Sequence, residues 1–234
     1  MIAGKSFLAV VPARGGSKGV PRKNVREVAG RPLLAYTLEA AQAVNGLDRI
    51  VVSSEDAEIL ELAAALGAEP LPRPVGLAQD TTPGVAVLLD ALERCPGYDY
   101  VVLLQPTSPL RAAADIEGAI ARCLEMGAPL CVTVTAADKS PWWMFTEGSD
   151  GRLRPLLPGP VPSRRQEAPE VLLLNGAVYV AEVAWLQRTG DLDYTSAVPY
   201  RMPAERSLDI DTKEDLRLLE LRLARSGTDR TGGT

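Results

Sequence analysis

Histidine is absent from the 234 residues. This excludes a Ser-His-Asp triad, a histidine-ligated zinc site and an imidazole general base. Chemistry is left to carboxylates, lysine, arginine, backbone amides and a hard metal ion. Cysteine is scarce: Cys95, Cys123 and Cys131 are odd in number, and no two have metal-site or redox spacing. They read as small buried apolar side chains. A basic excess is also lacking. With 25 Lys and Arg against 30 Asp and Glu, the net charge is −5. That argues against a nucleic-acid or anionic-membrane partner, while leaving room for a local basic pocket. Long apolar runs are missing too. The first, Phe7 to Val11, is too short for a signal peptide's apolar region or a membrane span. The expectation is a soluble, cytoplasmic protein.

What is present alternates. Phe7 to Pro12, Arg49 to Ser53, Tyr100 to Leu104 and Pro129 to Thr135 read as strands, and Asn175 to Val180 as a later one. Helices are expected from Pro32 to about Val44 and from Ala57 to Leu66, stopped by Gly67. Others are expected over Thr82 to Arg94, Ala113 to Met126 and Lys213 to Ala224. Thr82 is read as the N-cap of its helix, with Pro83 in the first turn. Strands alternating with helices predict an α/β domain with a mainly parallel sheet covered on both faces. The pattern breaks at 141–174, which holds six prolines and the pair Trp142 and Trp143. That length without periodicity reads as an insertion. The domain is therefore expected over 1–140 and 175–226, with a disordered tail at 227–234.

Four constellations can carry chemistry. The first is the loop Ala13 to Asn24, directly after the first strand, where open α/β sheets bind ligands. Gly15, Gly16 and Gly19 let the backbone fold tightly and present amides to an anion. Arg14, Lys18, Arg22 and Lys23 add four cations, the cradle a triphosphate needs. The loop matches neither the P-loop nor the dinucleotide glycine pattern. The second is Ser207 to Asp211, in which Asp209 and Asp211 share one face of an extended segment. Two carboxylates so placed suit a cation such as Mg²⁺, which takes one or two carboxylates plus phosphate oxygens. Equally, Asp211 with Thr212 can cap the last helix and Asp209 can be a surface charge. The third is Gln105 to Arg111, a loop stiffened by two prolines after a strand. The fourth is Ser163 to Gln166, whose adjacent arginines are either surface residues or a grip for an anionic group.

Together these segments resemble the CMP-N-acetylneuraminate (acylneuraminate) cytidylyltransferase family of bacterial type. The elements, in order, are Ala13–Asn24, Val52–Ser54, Arg73–Pro74, Asp80–Thr81, Gln105–Arg111, Arg164–Gln166, Asn175–Tyr179 and Ser207–Asp211. The resemblance spans Val11 to Leu216. It implies a Rossmann-like nucleotidyltransferase fold and a homodimer formed through the 141–174 insertion. It implies transfer of CMP from CTP to a nonulosonic, sialic-type acid, with Mg²⁺ or Mn²⁺ as cofactor. Arg14, Gly15, Gly16, Ser17, Lys18, Lys23 and Asn24 would then form the nucleotide loop, and Arg73, Asp80 and Thr82 the cytosine pocket. Gln105, Arg165, Gln166, Asn175 and Tyr179 would meet the sugar acid, and Asp209 and Asp211 the metal. Arg14, Lys18 and Asp211 would be catalytic. One departure bears on the substrate. Many bacterial sialic acid enzymes carry Arg-Pro before Asn-Gly, whereas Leu173 and Leu174 stand here. Legionaminic and pseudaminic acids are therefore rival substrates, ahead of eight-carbon KDO. A rival of another class is a catalytically silent nucleotide-binding subunit.

Overall fold

The computed structural model describes residues 1–229; the side chains of Arg165 and of 226–229 lie outside that description. The strands are β1 (Phe7–Pro12), β2 (Glu27–Val28), β3 (Arg31–Pro32), β4 (Arg49–Ser54), β5 (Glu69–Pro72), β6 (Tyr100–Leu104), β7 (Leu130–Ala136), β8 (Phe145–Glu147), β9 (Leu153–Pro155), β10 (Leu172–Glu182) and β11 (Ala197–Arg201). The helices are α1 (Leu33–Gln42), α2 (Ala57–Ala65), α3 (Gly84–Arg94), α4 (Ala113–Glu125), α5 (Val183–Thr189) and α6 (Lys213–Asp229).

Seven strands form one sheet in the order β11-β7-β10-β6-β1-β4-β5. All neighbours are parallel except β10, which runs antiparallel to β6 and β7. The fold is thus α/β with a mainly parallel sheet, as expected. β1 shows why its sequence is apolar throughout. Phe7, Ala9 and Val11 pack into one core with Leu34, Leu38 and Ile120, while Leu8 and Val10 enter a second core with Leu88 and Leu92. A strand covered on both faces has no polar side to display.

β5 and β11 were not expected. Each carries proline within it (Pro70 and Pro199), which weakens a strand signal. Both lie at the two ends of the sheet, where a missing N–H costs no ladder bond. α3 begins at Gly84, after Pro83, and Thr82 does not cap it. Instead the Thr82 hydroxyl donates to the Gly76 carbonyl at 3.3 Å, closing the short segment before the helix. The insertion contains the β8–β9 hairpin. Its return to the sheet comes at Leu172 rather than Asn175, because Leu172 to Leu174 already pair with β7. α6 runs to Asp229, so the expected tail begins inside a helix, and 230–234 lie outside the described residues.

A third, small core decides where the site forms. Val20 from the basic loop, Leu33 of α1, Leu208 and Ile210 from the acidic segment and Leu219 of α6 pack together. Val20 and Ile210 are fully buried. Val20, the largest apolar side chain of the loop, thus anchors it beside the two aspartates, through ordinary hydrophobic burial.

Candidate active site

Three segments converge at the carboxyl ends of the parallel strands. The basic loop follows β1, the loop Gln105 to Arg111 follows β6, and the segment Ser207 to Asp211 precedes α6. The Ile210 N–H donates to the Thr107 carbonyl at 2.8 Å. The Lys23 ammonium donates to the Ile210 carbonyl and reaches Asp211 at 3.2 Å. Gly19 lies so close to the Asp211 carbonyl that a Cβ there would overlap it. Between the segments opens a cleft of about 430 Å³.

Most expected nucleotide residues line this cleft: Arg14, Ser17, Lys23, Asn24, Arg73, Asp80 and Thr82. The Asn24 amide donates to the Arg14 carbonyl at 2.9 Å and holds the loop's turn. The N–H groups of Gly16, Ser17 and Lys18 have no acceptor among the described residues, which suits an anion. Gly15 differs. Its N–H donates to Glu55 at 2.7 Å, so it is not offered to a phosphate. It is glycine because a Cβ would strike the Asp56 side chain.

Asp80 occupies an unexpected position. It accepts from Lys18 and Arg14, each at 2.6 Å. These two cations, Lys18 first, hold its carboxyl below the usual carboxylate range. A ligand's phosphates would have to compete with Asp80 for the same two cations. Lys18 is otherwise open, with its side chain 81% exposed.

Asp209 and Asp211 both line the cleft, while Ile210 turns into the core. The shared-face reading therefore holds. The capping alternative holds for Thr212, which caps α6 together with Asp215, but not for the Asp211 side chain. The Thr212 N–H donates to Asp215 at 2.7 Å and the Asp215 N–H donates to the Thr212 hydroxyl at 3.2 Å, a reciprocal cap. Desolvation in the cleft, and to a lesser degree the Asp211 charge, push the Asp209 carboxyl up, opposed by the nearby Thr107 hydroxyl. No cluster of three or more carboxylate, cysteine or histidine ligands exists among the described residues. Two carboxylates on one wall fit a hard cation that completes its shell with phosphate oxygens and water. They do not fit an all-protein metal cage.

The expected sugar residues divide. Gln105 lines the cleft and also a neighbouring depression of about 250 Å³, with Tyr179, Leu192 and Tyr194. Buried Arg111 fixes it, donating to the Gln105 carbonyl at 3.2 Å and the Ala177 carbonyl at 2.7 Å. Burial pushes the Tyr179 hydroxyl up to about 12, so it is a neutral donor. Asn175 does not reach the cleft. It is 5% exposed and spends its amide on the sheet. Thr133 donates to its oxygen at 2.6 Å, and it donates to Ser207 at 2.9 Å. It stabilises the irregularity where β10 shifts register at Gly176, whose φ is 72°. Gln166 is exposed on the insertion and outside the lining of both cavities, and the Arg165 side chain lies outside the described residues. Sequence reasoning missed Glu55, Asp56 and Tyr194. The run Ser53 to Asp56 after a strand was the available signal for the first two.

The cytidylyltransferase family model matches residues 8–141. The chain belongs to the cytidylyltransferase family. A CMP-N,N′-diacetyllegionaminic acid synthase of Legionella pneumophila is 34% identical, covering 92% of this chain and 94% of the relative. An N-acylneuraminate cytidylyltransferase of Escherichia coli is 29% identical over 91% of this chain. This cytidylyltransferase spans about half of that relative, 51% of its length. The resemblance drawn from the motifs therefore stands. A solved CMP:2-keto-3-deoxy-manno-octonic acid synthetase complexed with CTP superposes with a TM-score of 0.74, at 17% identity over 94% of this chain and 99% of the other. It shares the Rossmann-like nucleotidyltransferase fold.

Proposed function

We propose that this chain transfers CMP from CTP to the anomeric hydroxyl of a nonulosonic acid. The observation that carries the reading is one cleft in which a cationic glycine loop, the buried Arg73 and two aspartates meet. In the reaction the anomeric oxygen bonds to the α-phosphorus. The bond from that phosphorus to the β-phosphate's bridging oxygen breaks, and pyrophosphate departs with the electron pair. The anomeric proton passes to water or to a carboxylate of the cleft.

Positioning and charge neutralisation supply most of the catalysis in such a transfer. Arg14 and Lys18 exchange Asp80 for oxygens of the departing pyrophosphate, offsetting its charge. The free amides of Gly16 and Ser17 hold phosphate oxygens, and Arg73 with Thr82 faces the base. Asp209 and Asp211 would hold Mg²⁺ or Mn²⁺, which when bound polarises the phosphate. Gln105 and Tyr179 meet the sugar acid.

Among nonulosonic acids the legionaminic type is favoured over neuraminic acid. The Legionella relative is named for that product, and Leu173 and Leu174 leave no arginine before Asn175. The test is pyrophosphate release from CTP with legionaminic, pseudaminic and neuraminic acids in turn. Release with at least one acid, and none without acid, supports the reading. Release with none of a broad nonulosonic panel would overturn it in favour of a silent subunit.

The active unit is proposed to be a homodimer built on the insertion. Phe145, Leu153, Leu156, Leu173 and Leu174 are all exposed in one chain, an apolar surface that a symmetric partner would cover. Trp142 and Trp143 are half-buried instead, with the Trp143 indole donating to the Pro162 carbonyl at 2.8 Å. The discriminating variant is therefore Leu153→Asp with Leu156→Asp rather than a tryptophan change. It should shift sedimentation toward the monomer and raise KM for the sugar acid, with CTP binding little changed. A wild-type chain that sediments as a monomer would contradict the dimer.

A further inference from the structure

The cleft has two jobs, holding a triphosphate and reading a base, and a single carboxylate joins them. Glu55 follows β4 in the turn that leads into α2. One oxygen, Oε1, accepts the Gly15 N–H at 2.7 Å, in the phosphate loop. The other, Oε2, accepts from the Arg73 guanidinium at 3.1 Å. The pair is well sheltered, with side chains 14% exposed for Glu55 and 3% for Arg73. A charge-assisted bond out of water holds geometry far better than one at the surface.

The turn supports this arrangement. Asp56 caps α2, accepting from the Ile59 N–H at 3.2 Å, and also pairs with Arg22 at the far side of the loop. The Ala13 N–H donates to the Ser53 carbonyl at 3.0 Å. Glu55 thus projects from a turn fixed on both sides. Arg73 is only partly satisfied: its Nε is buried without a protein partner, on a residue that lines the cleft. A buried donor left unpaired is costly, so an acceptor on the ligand would complete it.

We propose that Glu55 is a positioning residue that couples base recognition at Arg73 to the set of the phosphate loop at Gly15. The inference rests on the cytidylyltransferase reading and names a residue of that same site. Its consequence is that a pyrimidine matching Arg73 steadies the loop through Glu55, so the preference for CTP over UTP depends on Glu55 although it is not assigned a contact with the base. A carboxylate that merely held the turn would affect both nucleotides alike.

The experiment is calorimetric binding of CTP and of UTP, each with Mg²⁺, to the whole chain and to Glu55→Ala, Arg73→Ala and the double variant. Glu55→Gln, which keeps one acceptor oxygen, stands in should the alanine form fail to fold. Losing two such bonds should weaken CTP on the order of 10-fold and bring the CTP-to-UTP ratio toward one. In the Arg73→Ala background the same change should cost much less, the mark of residues acting as a unit. Equal loss for both nucleotides, or additive losses in the double variant, would overturn the coupling while leaving the cytidylyltransferase reading untouched. A wild-type chain with no preference for CTP would overturn both. No sugar acid enters the measurement, so an incorrect substrate choice does not disturb it.

Discussion

Asp211→Asn and Asp209→Asn should each cut turnover on the order of 100-fold or more while the protein stays folded. The second half of that expectation comes from the helix cap. Thr212 and Asp215 satisfy the first turn of α6 between themselves, so the neighbouring aspartate carries no capping duty. Ile210 remains buried in the small core whichever residue stands beside it. What changes is the charge on one wall of the cleft. A single remaining carboxylate is a poorer site for a hard cation, while Lys23 stays tethered to the Ile210 carbonyl in either variant. Steady-state kinetics across a Mg²⁺ titration, beside a thermal unfolding midpoint, separates the two effects. Near-normal Mg²⁺-dependent turnover in both variants would show that the aspartates are surface charges.

Gly19→Ala should be nearly as damaging, although glycine carries no functional group. The added methyl would overlap the backbone carbonyl of Asp211. Neither chain can yield cheaply, since Val20 pins the loop and Ile210 pins the acidic segment in the same core. The separation between the loop's cations and the aspartates would widen. A displacement near 1 Å between groups that must meet one substrate can cost about 100-fold in rate. The readout is kcat for CTP consumption alongside the same calorimetric CTP titration. A large fall in kcat with a smaller loss of CTP affinity is expected, because the loop's cations survive the change and their alignment does not. Unchanged kcat would mean that the close approach of Gly19 to Asp211 has no part in catalysis.

The fold was legible wherever a residue's local preference and its place in the sheet agreed. The apolar runs of β1, β4 and β6 leave little polar face, so they read as interior strands. β5 and β11 escaped because Pro70 and Pro199 argue against a strand until it is known to lie at an edge. The site divided in a similar way. Gly-rich, cationic and paired-carboxylate segments announce themselves by composition, and the structure gathers them in one cleft. Asn175 misled because its motif lies near the sugar residues in sequence, while a bulge in β10 turns its side chain into the sheet. Glu55 was overlooked because an acidic residue in the run Ser53 to Asp56 reads as surface charge, and only the fold brings Gly15 and Arg73 to its two oxygens. Asp80 was placed near the base, but its pairing with Arg14 and Lys18 depends on how the 75–82 segment crosses the loop.

The most direct test of the central claim is a ³¹P spectrum of the whole chain with CTP, Mg²⁺ and diacetyllegionaminic acid. The account predicts a phosphodiester signal and pyrophosphate rising in equal amounts as CTP falls, with no change when the acid is omitted. CDP and inorganic phosphate in place of that pair, or CTP left intact in the presence of every nonulosonic acid, would contradict it.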